Sequence, residues 1–269
     1  MAAPELASSV GAPAGFRWRR YLLWGVGLVG VAALYIHAWR DTEANLGSLI
    51  SGWHNMGDLI RRSVPPDRSV LENSITAAIV TFDTALLGTT IAFVIALVLT
   101  PFAARNITPS RVLYEITRAF LGFFRTIPVW VLGLIFLVAV GLSPFAGVLA
   151  LAVETVGVLT KLYAEAVEEM DMGPVDALRV SGATRTQVFV HGVLPSVTPT
   201  FAGLLIYRFD SNIRAALFLS VIGAGGLGFL IYQSFELFQY DQVFTEVLVM
   251  LVMLLLVERV SILVRARIH

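Results

Sequence analysis

Six times along this sequence an apolar run persists for about the twenty residues an α-helix needs to cross the hydrocarbon core of a bilayer. The runs extend from about Tyr21 to Trp39, Leu71 to Thr100, Arg125 to Leu142, Phe145 to Leu162, Pro199 to Ile222 and Val243 to Val264. The second stops at Pro101, and an amphipathic segment through Arg118 to Phe124 leads into the third. Charged residues make up 14% of the chain and hydrophobic ones 57%, against about 25% charged in ordinary soluble domains. A soluble fold of this length could not cover its surface with so few charges. Lipid-facing positions ask for apolar side chains, and a backbone crossing lipid must satisfy its own hydrogen bonds, as a helix does. The expectation is an all-α integral membrane protein of about six transmembrane helices. The sequence contains no cysteine, which excludes disulfides, thiolate metal sites and cysteine nucleophiles.

The first run follows Arg17, Arg19 and Arg20. It is longer than a usual signal-peptide core, so an uncleaved first span is preferred. Residues 1–20 read as a cytoplasmic tail and 21–69 as the first span with a periplasmic segment. That segment is weakly amphipathic from Leu46 to Ile60 and broken at Pro65-Pro66. Residues 70–265 read as the core membrane domain. Orientation follows from the bias of arginine and lysine toward the cytoplasm. With six crossings and a cytoplasmic N-terminus, ten basic residues fall in inner segments and four (Arg40, Arg61, Arg62, Arg68) in outer ones. Both termini are therefore expected in the cytoplasm, as is the polar stretch 163–198.

That stretch contains the most informative text, from Gly173 to Pro195. Pro174 suits the first turn of a helix, where its missing N–H is no loss. Gly182 suits the residue just past a helix, where a left-handed backbone is needed. Thr184 and Gln187 match a capping box that opens a second short helix, expected to end at Leu194-Pro195. So short a helix is marginal in water and needs a surface for Val175, Ala177, Leu178 and Val180. It either packs on its own membrane domain or docks into another protein.

This loop resembles the docking loop of ABC importer permeases, whose pattern is Glu-Ala-Ala, three residues, Gly, nine residues, Ile, one residue, Leu-Pro. Here Asp176-Ala177-Leu178 stands at Glu-Ala-Ala, Gly182 follows at the right distance, and Gly192, Val193, Leu194 and Pro195 complete the spacing. Asp176, Leu178 and Gly192 depart in identity, the last weakening one apolar contact. More of the chain is similar to one branch, the phosphonate-uptake permeases: Arg125-Thr126-Ile127-Pro128, Gly147 to Ala152, Lys161 to Ala166 with Glu168-Glu169, Gly223 to Gly228, and Tyr240 to Val243. Glu154 departs from that branch. The resemblance implies a type I (MetI-like) permease fold with a cytoplasmic coupling helix, in a bacterial inner membrane. It implies a non-catalytic subunit that carries phosphonate or a related oxyanion such as phosphate or phosphite; a related branch carries methionine. It further implies partner ABC ATPase subunits holding ATP and Mg, a second copy of this chain, a periplasmic or lipid-anchored substrate-binding protein, and membrane lipids, with no nucleic acid. Asp176, Ala177, Leu178, Gly182, Leu194 and Pro195 would form the ATPase-coupling element, with Ala177 and Leu178 buried in the ATPase. A secondary transporter, the competing reading, has no need of such a loop.

Other motifs carry less. Gly223, Gly225 and Gly228 satisfy G-x-G-x-x-G, but a dinucleotide site needs a preceding strand; close helix packing or a hinge is the better reading. Thr160 precedes Lys161, so this lysine opens no Walker motif, and no such motif occurs elsewhere. Neither a catalytic constellation nor a metal site is expected: Glu168, Glu169, Asp171 and Asp176 read as a solvated loop face, and the four histidines are scattered. Arg208, Asp210, Asn212 and Arg214 lie inside the fifth run, where each mid-bilayer charge costs roughly 2.5–3.5 kcal/mol. Asp210 and Arg214 share one face, Arg208 and Asn212 another. Either these groups pair internally, or Arg208 or Arg214 lines an anion path with its planar donors. Lys161 is a further path candidate; Glu154, seven residues before it, is placed to pair with it.

Overall fold

A computed structural model describes residues 15–42 and 45–268. Residues 1–14 of the expected tail lie outside the described residues; 15–20 form the first turns of a helix. The chain divides into two units, 1–58 and 59–269, with the boundary inside the second helix. The first unit holds α1 (Gly15–Asp41), whose stretch Tyr21–Asp41 is long and apolar enough to cross a membrane. It also holds most of α2 (Leu46–Ser63), the amphipathic segment.

The second unit contains α3 (Leu71–Ala103), α4 (Arg111–Thr126), α5 (Val129–Val140), α6 (Pro144–Glu169), α7 (Gly173–Val180), α8 (Arg185–Val188), α9 (Leu194–Leu219), α10 (Leu227–Glu236) and α11 (Tyr240–Ile268). Five segments of the described chain qualify as spans, or six if the bent pair α4–α5 counts as one. The protein is thus an all-helical, multi-pass membrane protein.

Helix α6 is the hub. It packs on α3 through small residues of both: Ala85, Gly88 and Ala92 of α3, Gly147, Ala150 and Ala152 of α6. Small side chains let two backbones approach closely, which is how helices associate where lipid removes the hydrophobic drive. A Cβ on Gly88 would stand 2.8 Å from the Leu151 Cβ. The threonines of the α3 face hold their hydroxyls on their own helix: Thr89 Oγ1 donates to the Ala85 carbonyl at 2.6 Å and Thr100 Oγ1 to the Ala96 carbonyl at 2.7 Å. No polar atom of that pair then faces hydrocarbon unpaired.

Three boundaries differ from expectation. Helix α3 does not stop at Pro101 but runs to Ala103. A proline forfeits only one hydrogen bond this close to a helix end, and its carbonyl accepts from Thr108 Oγ1 at 3.1 Å. The third span is not continuous: α4 and α5 meet at 85° across Ile127-Pro128. A helix of α5's 12 residues is about 18 Å long, too short to cross alone. Finally, Leu194-Pro195 does not end the second loop helix. From Arg185 the chain is helical through a π turn, Phe189–Val193, directly into α9. In that turn the Leu194 N–H reaches back five residues to the Phe189 carbonyl. This shift in register accommodates Pro195, which has no N–H to offer.

Candidate functional site: an outward helix and a charged membrane interior

At the end of α6 the Asp171 Oδ1 accepts the Gly173 N–H at 3.0 Å, Pro174 occupies the first turn, and α7 begins. Its end is a Schellman motif. The Ala183 N–H donates to the Leu178 carbonyl and the Gly182 N–H to the Arg179 carbonyl, both at 3.1 Å. This closure needs a left-handed residue, and Gly182 has φ +81°. The Thr184–Gln187 capping box is complete in both directions. Helix α7 is therefore aimed by its own local chemistry.

Its two faces differ. Val175 is fully buried, and Leu178 packs beside it over the π turn. Asp176 and Ala177 are exposed, and Val180 is 90% exposed. Leu178 is half-buried against its own membrane domain. The reason is Gly192, whose missing side chain opens the space that the Leu178 Cδ1 fills. Leu194 is partly buried and Pro195 exposed, both in the first turn of α9.

The intramembrane charges separate by face. On α9, Arg208 forms an ion pair with Glu154 of α6, and both side chains are largely buried. One turn on, Asn212 is 0% exposed. Its Nδ2 donates to Thr89 Oγ1 at 2.8 Å and to Thr155 Oγ1 at 2.9 Å. Arg208 and Asn212 therefore bind α9 to α3 and α6. On the opposite face Arg214 Nη2 meets Asp210 Oδ2 at 2.8 Å, with the arginine side chain 54% exposed.

Lys161 does not pair with Glu154. It reaches Glu165 at 3.5 Å, one turn further along α6, because Arg208 already occupies the Glu154 carboxylate. Glu154, Lys161, Glu165 and Glu169 recur at helical spacing along one edge of α6. That edge opens near its end into a groove of about 680 Å³ against α9, lined by Glu165, Glu169 and Asp171. Glu154 as the partner of Arg208, and the acidic edge, were missed in the sequence; the period of four, seven and eleven residues was the available signal.

The glycine-rich turn after α9 is a packing device. Gly223, Gly225 and Gly226 all have positive φ. A Cβ on Gly226 would stand 2.5 Å from Thr81 Oγ1, and one on Gly228 2.2 Å from the Leu217 carbonyl oxygen. Thr81 Oγ1 accepts the Leu227 N–H at 2.9 Å, seating α10 on α3. A helix precedes this turn, not a strand, so it is no dinucleotide fingerprint.

Comparison with known proteins agrees with this architecture. The model of the family described as "Binding-protein-dependent transport system inner membrane component" matches residues 86–269. The chain is 37% identical over 247 residues to the phosphite transport system permease protein PtxC of Stutzerimonas stutzeri, covering 92% of this chain and 89% of that one. It is 36% identical over 210 residues to the phosphate-import permease protein PhnE of Mycolicibacterium smegmatis, covering 78% and 40% respectively. Among solved structures, a chain of the MetNI methionine ABC transporter in an inward-facing conformation superposes with TM-score 0.67 at 18% identity. The superposition covers 76% of this chain and 99% of that one, and shows a shared fold. The broken span, the short outward helix before the penultimate crossing and the family match over two thirds of the sequence agree: this chain belongs to the binding-protein-dependent transport system inner membrane components.

Proposed function

We propose that this chain is the membrane-spanning subunit of an ATP-driven importer for phosphonate or a related phosphorus oxyanion. It would work with separate ATPase chains carrying ATP and Mg, a second copy of itself, and a substrate-binding protein. The observation that carries this reading is α7. A two-turn helix, aimed by a Schellman elbow and anchored inward by Val175 and Leu178, leaves Ala177 and Val180 uncovered. A connector has no use for such a face, whereas a coupling helix seats it in an ATPase. The relatives named for phosphite and phosphate transport support the substrate class, and the arginine bias supports cytoplasmic termini.

Within the membrane, Arg214 is the arginine assigned to the anion path and Arg208 the internal one. A half-exposed guanidinium within an apolar span is costly against lipid. It is at home beside a water-filled path, where its planar donors suit an oxyanion. Asp210 keeps it partly neutralised, so an anion is held weakly and released. Arg208 is paired with Glu154 through Nη2. Lys161 is paired with Glu165, whose side chain lines the acidic α6–α9 groove.

The test is co-purification of the chain with its candidate ATPase, followed by ATP hydrolysis in the presence of the binding protein. Stimulation by phosphonate or phosphite, and not by methionine, is the expected result. Transport that persists without any ATPase would overturn the reading in favour of a secondary transporter.

A further inference from the structure

Where α3 ends and α8 leads toward α9, a cleft of about 600 Å³ opens beside the last turns of an apolar span. Its inner wall is apolar: Val98 and Phe102 from the last turns of α3, Val188 from the end of α8 and Phe189 from the start of the π turn. Its rim is basic and hydroxylated: Arg179, Arg185, Thr108 and Thr186. None of its lining residues is acidic. Arg179 is steadied at the rim by Asp176 Oδ1 at 3.3 Å and, at the limit of hydrogen bonding, by the Asn106 carbonyl at 3.5 Å. Arg185 has no carboxylate partner among the described residues.

The apolar wall continues into the bilayer. Val94, Val98 and Phe102 are spaced by four on α3 and are 56%, 63% and 37% exposed, forming one stripe that rises from the cleft along the span. The cleft therefore joins a cationic mouth at headgroup level to an apolar track at acyl level. At the same end of the molecule the α6–α9 groove is acidic, so an anion is drawn to one cleft and repelled from the other. Basic pockets between membrane helices at the surface are suited to anionic headgroups, and guanidinium forks bind phosphate oxygens in pairs.

We propose that this cleft binds one anionic phospholipid, its phosphate held by Arg185 and Arg179 and one acyl chain lying along Val98 and Phe102. The lipid bridges the end of α3 to the α7–α8 loop, so that the charge of the leaflet steadies α7. This inference is independent of the transported substrate and of the ATPase assignment.

The test uses the full chain in nanodiscs, with and without its co-purified ATPase. One preparation contains phosphatidylethanolamine with a photoactivatable phosphatidylglycerol, the other phosphatidylethanolamine with a photoactivatable phosphatidylcholine. The phosphatidylglycerol probe is expected to label the segments around Val98–Phe102 and Val188–Val193, and the phosphatidylcholine probe to label them far less. The Arg179→Gln/Arg185→Gln double variant should lower that labelling by about tenfold for each charge-assisted hydrogen bond removed. Four results overturn the proposal: equal labelling by both probes, full labelling of the double variant, displacement of the probe by inorganic phosphate, or loss of labelling when the ATPase binds. Should the double variant fail to assemble, the two probes on the unaltered chain decide by themselves.

Discussion

Gly192 lies directly beneath Leu178: a Cβ at position 192 would stand 2.9 Å from the Leu178 Cδ1 and 3.6 Å from the Val175 Cγ2. The docking-loop pattern has Ala at the first position and Ile at the second, so the two departures are one exchange of volume. A large side chain on α7 fills the space that a small one vacates on the π turn. Gly192 therefore does not weaken the apolar contact, as its identity suggested; it relocates the side chain that makes it.

Gly192→Ile alone should overpack this contact at a cost of about 1–3 kcal/mol, lift α7 and reduce ATPase co-purification. Adding Leu178→Ala should restore both stability and ATPase binding. Thermal melts of the four proteins of the cycle check this, since side chains in contact give a non-zero coupling energy.

The two α9 arginines should separate by phenotype. Arg208→Leu strands the Glu154 carboxylate between α6 and α9 and should destabilise the chain by about 3–5 kcal/mol. Replacing Glu154 with glutamine and Arg208 with leucine together should recover much of the loss. Asp210→Asn/Arg214→Gln removes a pair without stranding a charge, so folding should survive while uptake of the oxyanion falls. Melting curves in detergent and uptake in proteoliposomes distinguish the two outcomes. Normal uptake by the second double variant would remove Arg214 from the path.

The outward face of α7 should matter only for the complex. Val180 is 90% exposed, so Val180→Glu should leave the melting temperature of the isolated chain nearly unchanged while ATPase binding is lost. Gly182→Val should act differently. It forces a β-branched residue into a left-handed backbone, costing roughly 1–2 kcal/mol, and misdirects the helix. An ATPase that binds the Val180→Glu chain as well as the parent would reduce the loop to a connector.

Topology can be read with single cysteines, because the sequence has none of its own. Ser181→Cys, beside the α7 elbow, should be shielded from an impermeant maleimide in intact cells. Gln239→Cys, between α10 and α11, should react. Both positions are exposed in the folded chain. The reverse pattern would invert the orientation expected from the arginine bias.

Several elements were legible because their causes are local. Span existence follows from apolar run length, which the neighbouring helices hardly alter. The elbow at Gly182 and the box at Thr184–Gln187 depend on residues no more than five apart, and both appear where the pattern placed them. The break in the third span was legible only in part. Pro128 was visible, but a proline in a membrane helix can be absorbed or can break the span, depending on what packs around the freed backbone.

What the amino-acid sequence determined by itself was thus the set of membrane helices, the geometry of the loop around Gly182 and the family. The first two rest on hydropathy summed over a window and on hydrogen bonds within a turn or two, and the family on the resemblance of the loop and span motifs. Tertiary structure alone decided which partner each buried charge takes. Glu154 chooses Arg208, 54 positions away, over Lys161 on its own helix, because the rotation of α9 against α6 sets which guanidinium reaches it. The same rotation turns Asn212 inward to Thr89 and Thr155 and leaves Arg214 outward. Helical periodicity shows that two residues share a face; only the packed neighbours decide which face is buried.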